Sequence, residues 1–358
     1  MTWRSLPKMP PRSAGESLRK LKAFNSDGRL RFWGLLALPI PLALLTLALG
    51  RYEISLGAVL QAVGHALAGR PPATSIETLV LQVRLPRILA ALLIGAGLGE
   101  AGAAFQGIFK NPLVDSNILG VTSGAGFGAA LALLLTGSLP LAGLAAFAFG
   151  MSAVLLAHIG ARARGGSHTL MLTLSGILVG SFFSALTSLV KLLADPLSTL
   201  PAITFWLLGG LSNVTWRDLP TLGLITGLGS AFLLAVRWQL NILSLGDREA
   251  AALGLNTRQV KLVIVGVAAL LTAVAVAVGG VIGWVGLVIP HAGRMLVGPD
   301  HRRLLPVSLS LGAAFLLVID TLARAALPRE VPLGVFTGIV GVPVLFVLLR
   351  RAKAGWAE

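Results

Sequence analysis

The chain contains no cysteine, a single tyrosine and only 14 Asp and Glu against 29 Lys and Arg, in 358 residues. The missing cysteine excludes a disulfide framework and thiolate metal sites, though it does not fix a compartment. Charge is scarce: 12% of residues carry it, where soluble domains carry about 25%. No G-x-x-x-x-G-K-[ST] loop occurs, so the chain cannot bind and hydrolyse ATP by that route, and no H-E-x-x-H occurs either. What is abundant is apolar: 55% of residues are hydrophobic, and 43 glycines suit helices that pack closely through small residues. The composition is that of an all-α, polytopic membrane protein.

Uncharged windows long enough to cross about 30 Å of hydrocarbon as helix place spans at 32–50, 88–109 (if Glu100 is tolerated), 165–190, 219–236 and 331–349. Window 116–161 reads as a hairpin of two spans turning near Gly137, Ser138 and Pro140. Window 304–319 is short and is expected to extend by snorkelling over Arg303 and Asp320. The run between Lys261 and Arg294 is too long for one helix and too short for two full ones. Gly279, Gly280, Gly283 and Gly286 mark a break within it. Window 196–216, with Pro196, Pro201 and Gly209–Gly210, reads as a re-entrant or surface element. The first apolar block follows a basic tail but lacks a clean small-x-small cleavage site, so it reads as an uncleaved span.

Charge bias chooses between ten spans and eleven. The N-terminal tail (Arg4, Lys8, Arg12, Arg19, Lys20, Lys22, Arg29, Arg31) and the C-terminal tail (Arg350, Arg351, Lys353) are both basic. The positive-inside rule puts both in the cytoplasm, which requires an even number of spans and gives ten. Residues 1–31 are then a basic, flexible cytoplasmic tail, 32–351 the transmembrane domain and 352–358 a short C-terminal tail. Most of the 29 Lys and Arg fall on the inner side. The net charge of +15 therefore reflects an anionic inner leaflet and needs no nucleic-acid partner.

One polar island, RWQLNILSLGDREAAALGLNTRQVK, interrupts the apolar blocks from Arg237 to Lys261, with a cytoplasmic segment at 240–257. Asp247, Arg248 and Glu249 open a run of helix formers that Gly254 stops. A short exposed helix there is a handle for a soluble partner. A loop helix resting on headgroups gives the same pattern.

Few residues are placed for chemistry. Glu100 lies near mid-span, either on a transport path or in a structural hydrogen bond between helices. Asp320 and Arg324 are four apart and can pair, as can Lys191 and Asp195. His291 and His301 flank a turn and read as polar loop residues, His291 at a helix end, rather than as metal ligands. Arg84 and Arg87, in RLPR, and Arg324 fall on the outer side against the overall bias. They suggest an acidic partner docking from outside, with snorkelling to outer headgroups as the alternative. A proton- or sodium-driven carrier would show more intramembrane acids and broken-helix ion sites. An intramembrane enzyme using His291 and His301 would need further ligands.

Four stretches in order resemble the permease subunits of bacterial ABC importers for ferric siderophores, haem and cobalamin, the type II importers. They are RLPRILAALLIGAGLGEAGAAFQGIFKNPLVDSNILGVTSGAGFG, LGDREAAALGL, GGVIGWVGLVIPHAGRMLVGPDHRRLLP and PLGVFTGIVGVPVLFVLL. The resemblance spans roughly 33–351. It implies a permease that performs no bond chemistry and carries no cofactor of its own, moved by two copies of an ATPase subunit that binds ATP and Mg. It further implies a periplasmic or lipid-anchored substrate-binding protein, a second permease copy, and residence in the bacterial inner membrane. The implied cargo is an iron chelate, with cobalamin as the alternative.

By the same resemblance, Leu245, Gly246, Asp247, Arg248, Glu249, Ala250, Ala251, Leu253, Gly254 and Leu255 match the coupling helices that enter a groove of the ATPase. Arg84, Arg87 and Arg324 match arginines that meet glutamates of the binding protein. His168, Thr169 and Leu170 match the cytoplasmic constriction, where the family has small hydroxyl residues; His168 and Leu170 depart from that pattern, and Glu100 is unusual at its place.

Overall fold

The computed structural model describes residues 28–50, 52, 54–162, 168–326 and 329–352. The N-terminal tail before Gly28, residues 163–167 and the end of the C-terminal tail lie outside the described residues.

The described chain is all helical. In chain order the helices are α1 (Gly28–Ala48), α2 (Leu56–Leu67), α3 (Ser75–Phe109), α4 (Val121–Thr136), α5 (Leu139–Gly160), α6 (His168–Leu193) and α7 (Thr199–Leu207). They continue as α8 (Leu219–Ala235), α9 (Arg237–Leu245), α10 (Asp247–Ala252), α11 (Thr257–Gly279), α12 (Val285–Val297), α13 (His301–Ala325) and α14 (Leu333–Ala352). Several starts are capped by the polar residue that precedes them. Ser55 accepts from Ala58 N, Thr74 from Glu77 N and Asn256 from Gln259 N.

Among the described residues six helices are long and apolar enough to cross a membrane, seven if the bent pair α8–α9, turned by 52°, is one span. Three windows read as spans, α4, α12 and α14, fall on shorter apolar helices.

α3 is the axis of the bundle. Of its apolar window 83% is buried, against 11% for α1 and 22% for α6, because α8, α11, α12 and α13 all pack on it. Its approach to α13 is so close that a Cβ on Gly95 would stand 2.2 Å from the Gly312 carbonyl oxygen. Small residues let the backbones meet where lipid supplies no hydrophobic drive.

The window read as starting at 88 starts at Ser75 instead, with a π-helical stretch at Leu79–Arg84. Counting uncharged residues stopped at Arg84 and Arg87, and both of these are buried in the protein. α2, which the charge gaps passed over, tucks Val59 and Ala62 inward. α13 also corrects the reading of its end: Asp320 does not snorkel but is fully buried and paired.

The broken windows break where glycine and proline fall. α11 ends at Gly279 and α12 begins at Val285, and α7 is only nine residues long. The freed backbone groups satisfy one another: Gly210 N donates to Gly279 O (2.9 Å), Leu333 N to Gly209 O (2.9 Å) and Gly334 N to Leu208 O (2.9 Å). Irregular backbone inside a membrane bundle requires such closure.

Candidate coupling and docking sites

The candidate residues gather at opposite ends of the α3–α13 pair. At one end stand the three arginines. Arg84, on the π-helical turn, donates from Nη1 to the carbonyls of Leu47 (2.7 Å) and Ala48 (3.1 Å), and from Nη2 to that of Tyr52. It thereby satisfies the carbonyls left open at the end of α1. Arg87, on α3, donates from Nε (2.8 Å) and Nη2 (2.7 Å) to Asp320 Oδ1, and both terminal nitrogens reach the Glu330 carboxylate. Arg324 reaches Asp320 Oδ2 from Nε at 3.1 Å, so the expected i, i+4 pair forms. Two guanidinium groups, Arg87 and Arg324, thus share two carboxylates, while Arg84 is held by carbonyls. Arg84 and Arg87 are buried at 4% and 6% exposure, so neither presents its charge as a free side chain.

At the other end α9 and α10 meet at Gly246, whose φ of 145° and ψ of 156° turn the chain sharply between two helices. The positive φ is what favours glycine here, since the 1.9 Å approach of a Cβ to Glu249 Oε2 is relieved by moving that flexible side chain. The helix opens at Asp247, where the run of helix formers opens, and ends at Ala252 before Leu253 and Gly254 (φ 83°). Ala250 is buried, while Arg248, Glu249, Ala251, Leu253 and Gly254 are exposed, and Leu255 packs partly inward. Leu245 and Leu253 are 65% and 64% exposed, beside exposed Arg248 and Glu249.

Asn241 fastens this region to α13. Its Oδ1 accepts from His301 N at 2.8 Å and its Nδ2 donates to Asp300 Oδ1 at 2.6 Å. Burial pushes the Asp300 carboxyl up, but the Arg302 N–H and the Asn241 amide outweigh it and hold the group below its ordinary value. Arg302 lies over the Trp238 ring at 4.3 Å.

Of the residues matched to the constriction, His168 opens α6, Thr169 accepts a hydrogen bond from Lys261 Nζ at 3.1 Å, and Leu170 is 53% exposed. In the sequence Lys261 marks only the end of the polar island and the edge of an apolar window. Its partners, Asp247 and Thr169, are 14 and 92 residues away, and no local spacing signals them.

Glu100 is fully buried on α3. It faces the Ser230 hydroxyl on α8, yet neither group closes a hydrogen bond. Asp195 accepts from the backbone and hydroxyl of Ser198 rather than pairing with Lys191. His291 sits within α12, not at its end, and is buried, while His301 starts α13 on Asn241. No group of three or more His, Asp or Glu stands close enough to hold a metal among the described residues.

A membrane bundle with broken helices and the short α9–α10 pair is a specific architecture, and comparison with known proteins identifies its family. Residues 36–351 match the model of the FecCD transport family. The chain belongs to that family. It is a multi-pass membrane permease of the type II ABC importer class.

Among family relatives, it is 39% identical over 326 residues to the molybdate import system permease protein MolB of Haemophilus influenzae, covering 90% of this chain and 96% of that one. It is 40% identical over 286 residues to an iron chelatin transport system permease protein of Helicobacter pylori, covering 78% of this chain and 85% of the relative. Its fold superposes with a TM-score of 0.81 and 37% identity on a metal-chelate type ABC transporter solved in an inward-facing conformation, over 89% of this chain and 98% of that one.

Proposed function

We propose that this chain forms the translocation pore of an ATP-driven importer for an iron chelate, working by alternating access. The observation that carries the reading is the hinged α9–α10 pair, which offers exposed Leu245, Arg248 and Leu253 between two spans of a chain with no ATP-binding motif of its own. In this reading residues 245–255 enter an ATPase subunit that supplies ATP and Mg chemistry, two copies serving two permease copies. The ten apolar windows cross the bacterial inner membrane with both termini in the cytoplasm. His168, Thr169 and Leu170 form the cytoplasmic gate. ATP and the loaded binding protein each shift the pore only by favouring one of its states.

The arginine cluster supports docking of an acidic binding protein through its field rather than through free side chains. Arg87 and Arg324 share two carboxylates, and Arg84, bonded to carbonyls beside Arg324, adds a third cation whose field would steer an acidic partner. Glu100 lies inside the subunit, so a place on the pathway for it would require the pore to open along α3 and α8.

A second cargo reading is molybdate, favoured by the relative aligned over 90% of this chain. Reconstitution decides between the readings. With its ATPase and binding protein in vesicles, the permease should accumulate one of ferric siderophore, haem, cobalamin or molybdate when ATP is present. Alone it should concentrate none of them. Uptake by the isolated chain driven by an ion gradient would overturn the importer reading.

A further inference from the structure

Lys261 lies one turn into α11, and its side chain is only 6% exposed. A buried ammonium must be compensated, and here all three of its hydrogens have an acceptor. Nζ donates to both oxygens of Asp247 at 2.7 Å and to Thr169 Oγ1 at 3.1 Å. Asp247 is the first residue of α10, immediately after the Gly246 turn, and Thr169 is the second residue of α6. One cation therefore ties two consecutive helices, α10 and α11, to α6, which is remote in sequence.

The packing around it gives this tie its meaning. α10 rests on α9 and α11, whereas α6 packs against α4, α5 and the turn at Ser116–Leu119. α11 itself packs on α4 and α5, and the ammonium adds a direct link from α10 to the first turn of α6. Beside it opens a cavity of about 300 Å³, lined by Ile108, Phe109, Lys110, Thr169, Asp247 and Lys261. The cavity leaves room for the link to shift without driving side chains into the end of α3. Asp247 is half-exposed, so the pair is partly screened and acts more as a short tether than as a store of stability.

We propose that Lys261 is the residue that conveys movement of the coupling helix to the cytoplasmic gate: when α10 is displaced, its ammonium carries the first turn of α6 with it. The proposal rests on the reading that residues 245–255 engage the ATPase and that 168–170 form the gate. Lys261 belongs to neither set and acts by positioning both.

The test uses the full permease–ATPase complex in lipid nanodiscs. The permease has no cysteine, so Leu170→Cys gives it a single thiol. Labelling of that thiol by N-ethylmaleimide is followed with and without ATP, Mg and vanadate. In the parent, nucleotide should change the labelling rate. In Lys261→Met, ATP hydrolysis by the assembled complex should continue while the nucleotide response of the thiol shrinks about tenfold, within the usual range of coupling between sites. Lys261→Arg, which keeps a charged donor, should restore the response.

A Lys261→Met complex that hydrolyses ATP and labels like the parent would overturn the proposal. A parent whose labelling ignores nucleotide would instead sink the gate reading and the proposal with it. Should Lys261→Met fail to assemble, Thr169→Val removes only the gate-side hydrogen bond. A full nucleotide response in that variant counts against the tether, and a diminished one supports it.

Discussion

Arg87 carries the heaviest electrostatic demand of any single side chain here. It holds Asp320, which is wholly buried, and Glu330 at once. Arg87→Met should lower the unfolding stability of the purified permease by about 3 kcal/mol, because a buried carboxylate loses its principal partner. Arg324 still faces Asp320, which keeps the loss from being larger. Adding Asp320→Asn should recover most of it, as a double-mutant cycle in detergent would show. Glu100 predicts the opposite sign. Its carboxyl is buried with no closed hydrogen bond, so Glu100→Met, similar in volume and apolar, should stabilise by roughly 1–3 kcal/mol. If transport falls while stability rises, the carboxyl serves the pathway; if both hold, it was a tolerated polar group.

At the scale of elements, two glycines set geometry that no other residue reproduces. Gly312→Ala on α13 would place a methyl 2.2 Å from the Gly95 carbonyl, and separating α13 from α3 should cost about 1–3 kcal/mol in the unfolding equilibrium. Gly246 governs an angle rather than a distance. Its φ of 145° is closed to an L side chain without strain, so Gly246→Ala should cost more than about 1 kcal/mol locally and re-aim α10. The measurable result is weaker capture of the ATPase subunit in co-purification, with the thermal midpoint of the membrane bundle little changed. Normal capture would show that the turn is not what orients the coupling helix.

For the molecule as a whole, the distribution of charge makes a topological prediction. Arg248→Cys on α10 and Arg70→Cys in the loop after α2 should react with a membrane-impermeant maleimide from opposite faces of oriented vesicles. The native absence of cysteine makes each the sole thiol. Labelling of both from one face would remove the ten-span arrangement and place the polar island on the wrong side for an ATPase. Because the positive-inside rule weighs short loops near span ends, the turns after Phe109 and Val297 are held by the same bias.

Much of this was readable along the chain. Apolar runs, glycine breaks at Gly279–Gly286, the Gly137–Ser138 hairpin and the polar run around Asp247 depend on local chemistry: hydrocarbon tolerates little charge, and glycine and proline end helices wherever they sit. The sequence by itself therefore determined the membrane class, the glycine and proline breaks and the presence of a short polar helix after Gly246. It could not reveal that α3 begins at Ser75, since Arg84 and Arg87 are tolerable only because carbonyls at the end of α1 and two carboxylates beyond residue 319 neutralise them. Nor could it single out Lys261, whose partners lie on two other helices. Those matters were decided by tertiary structure alone, because the cost of burying a charge depends on what the fold brings beside it.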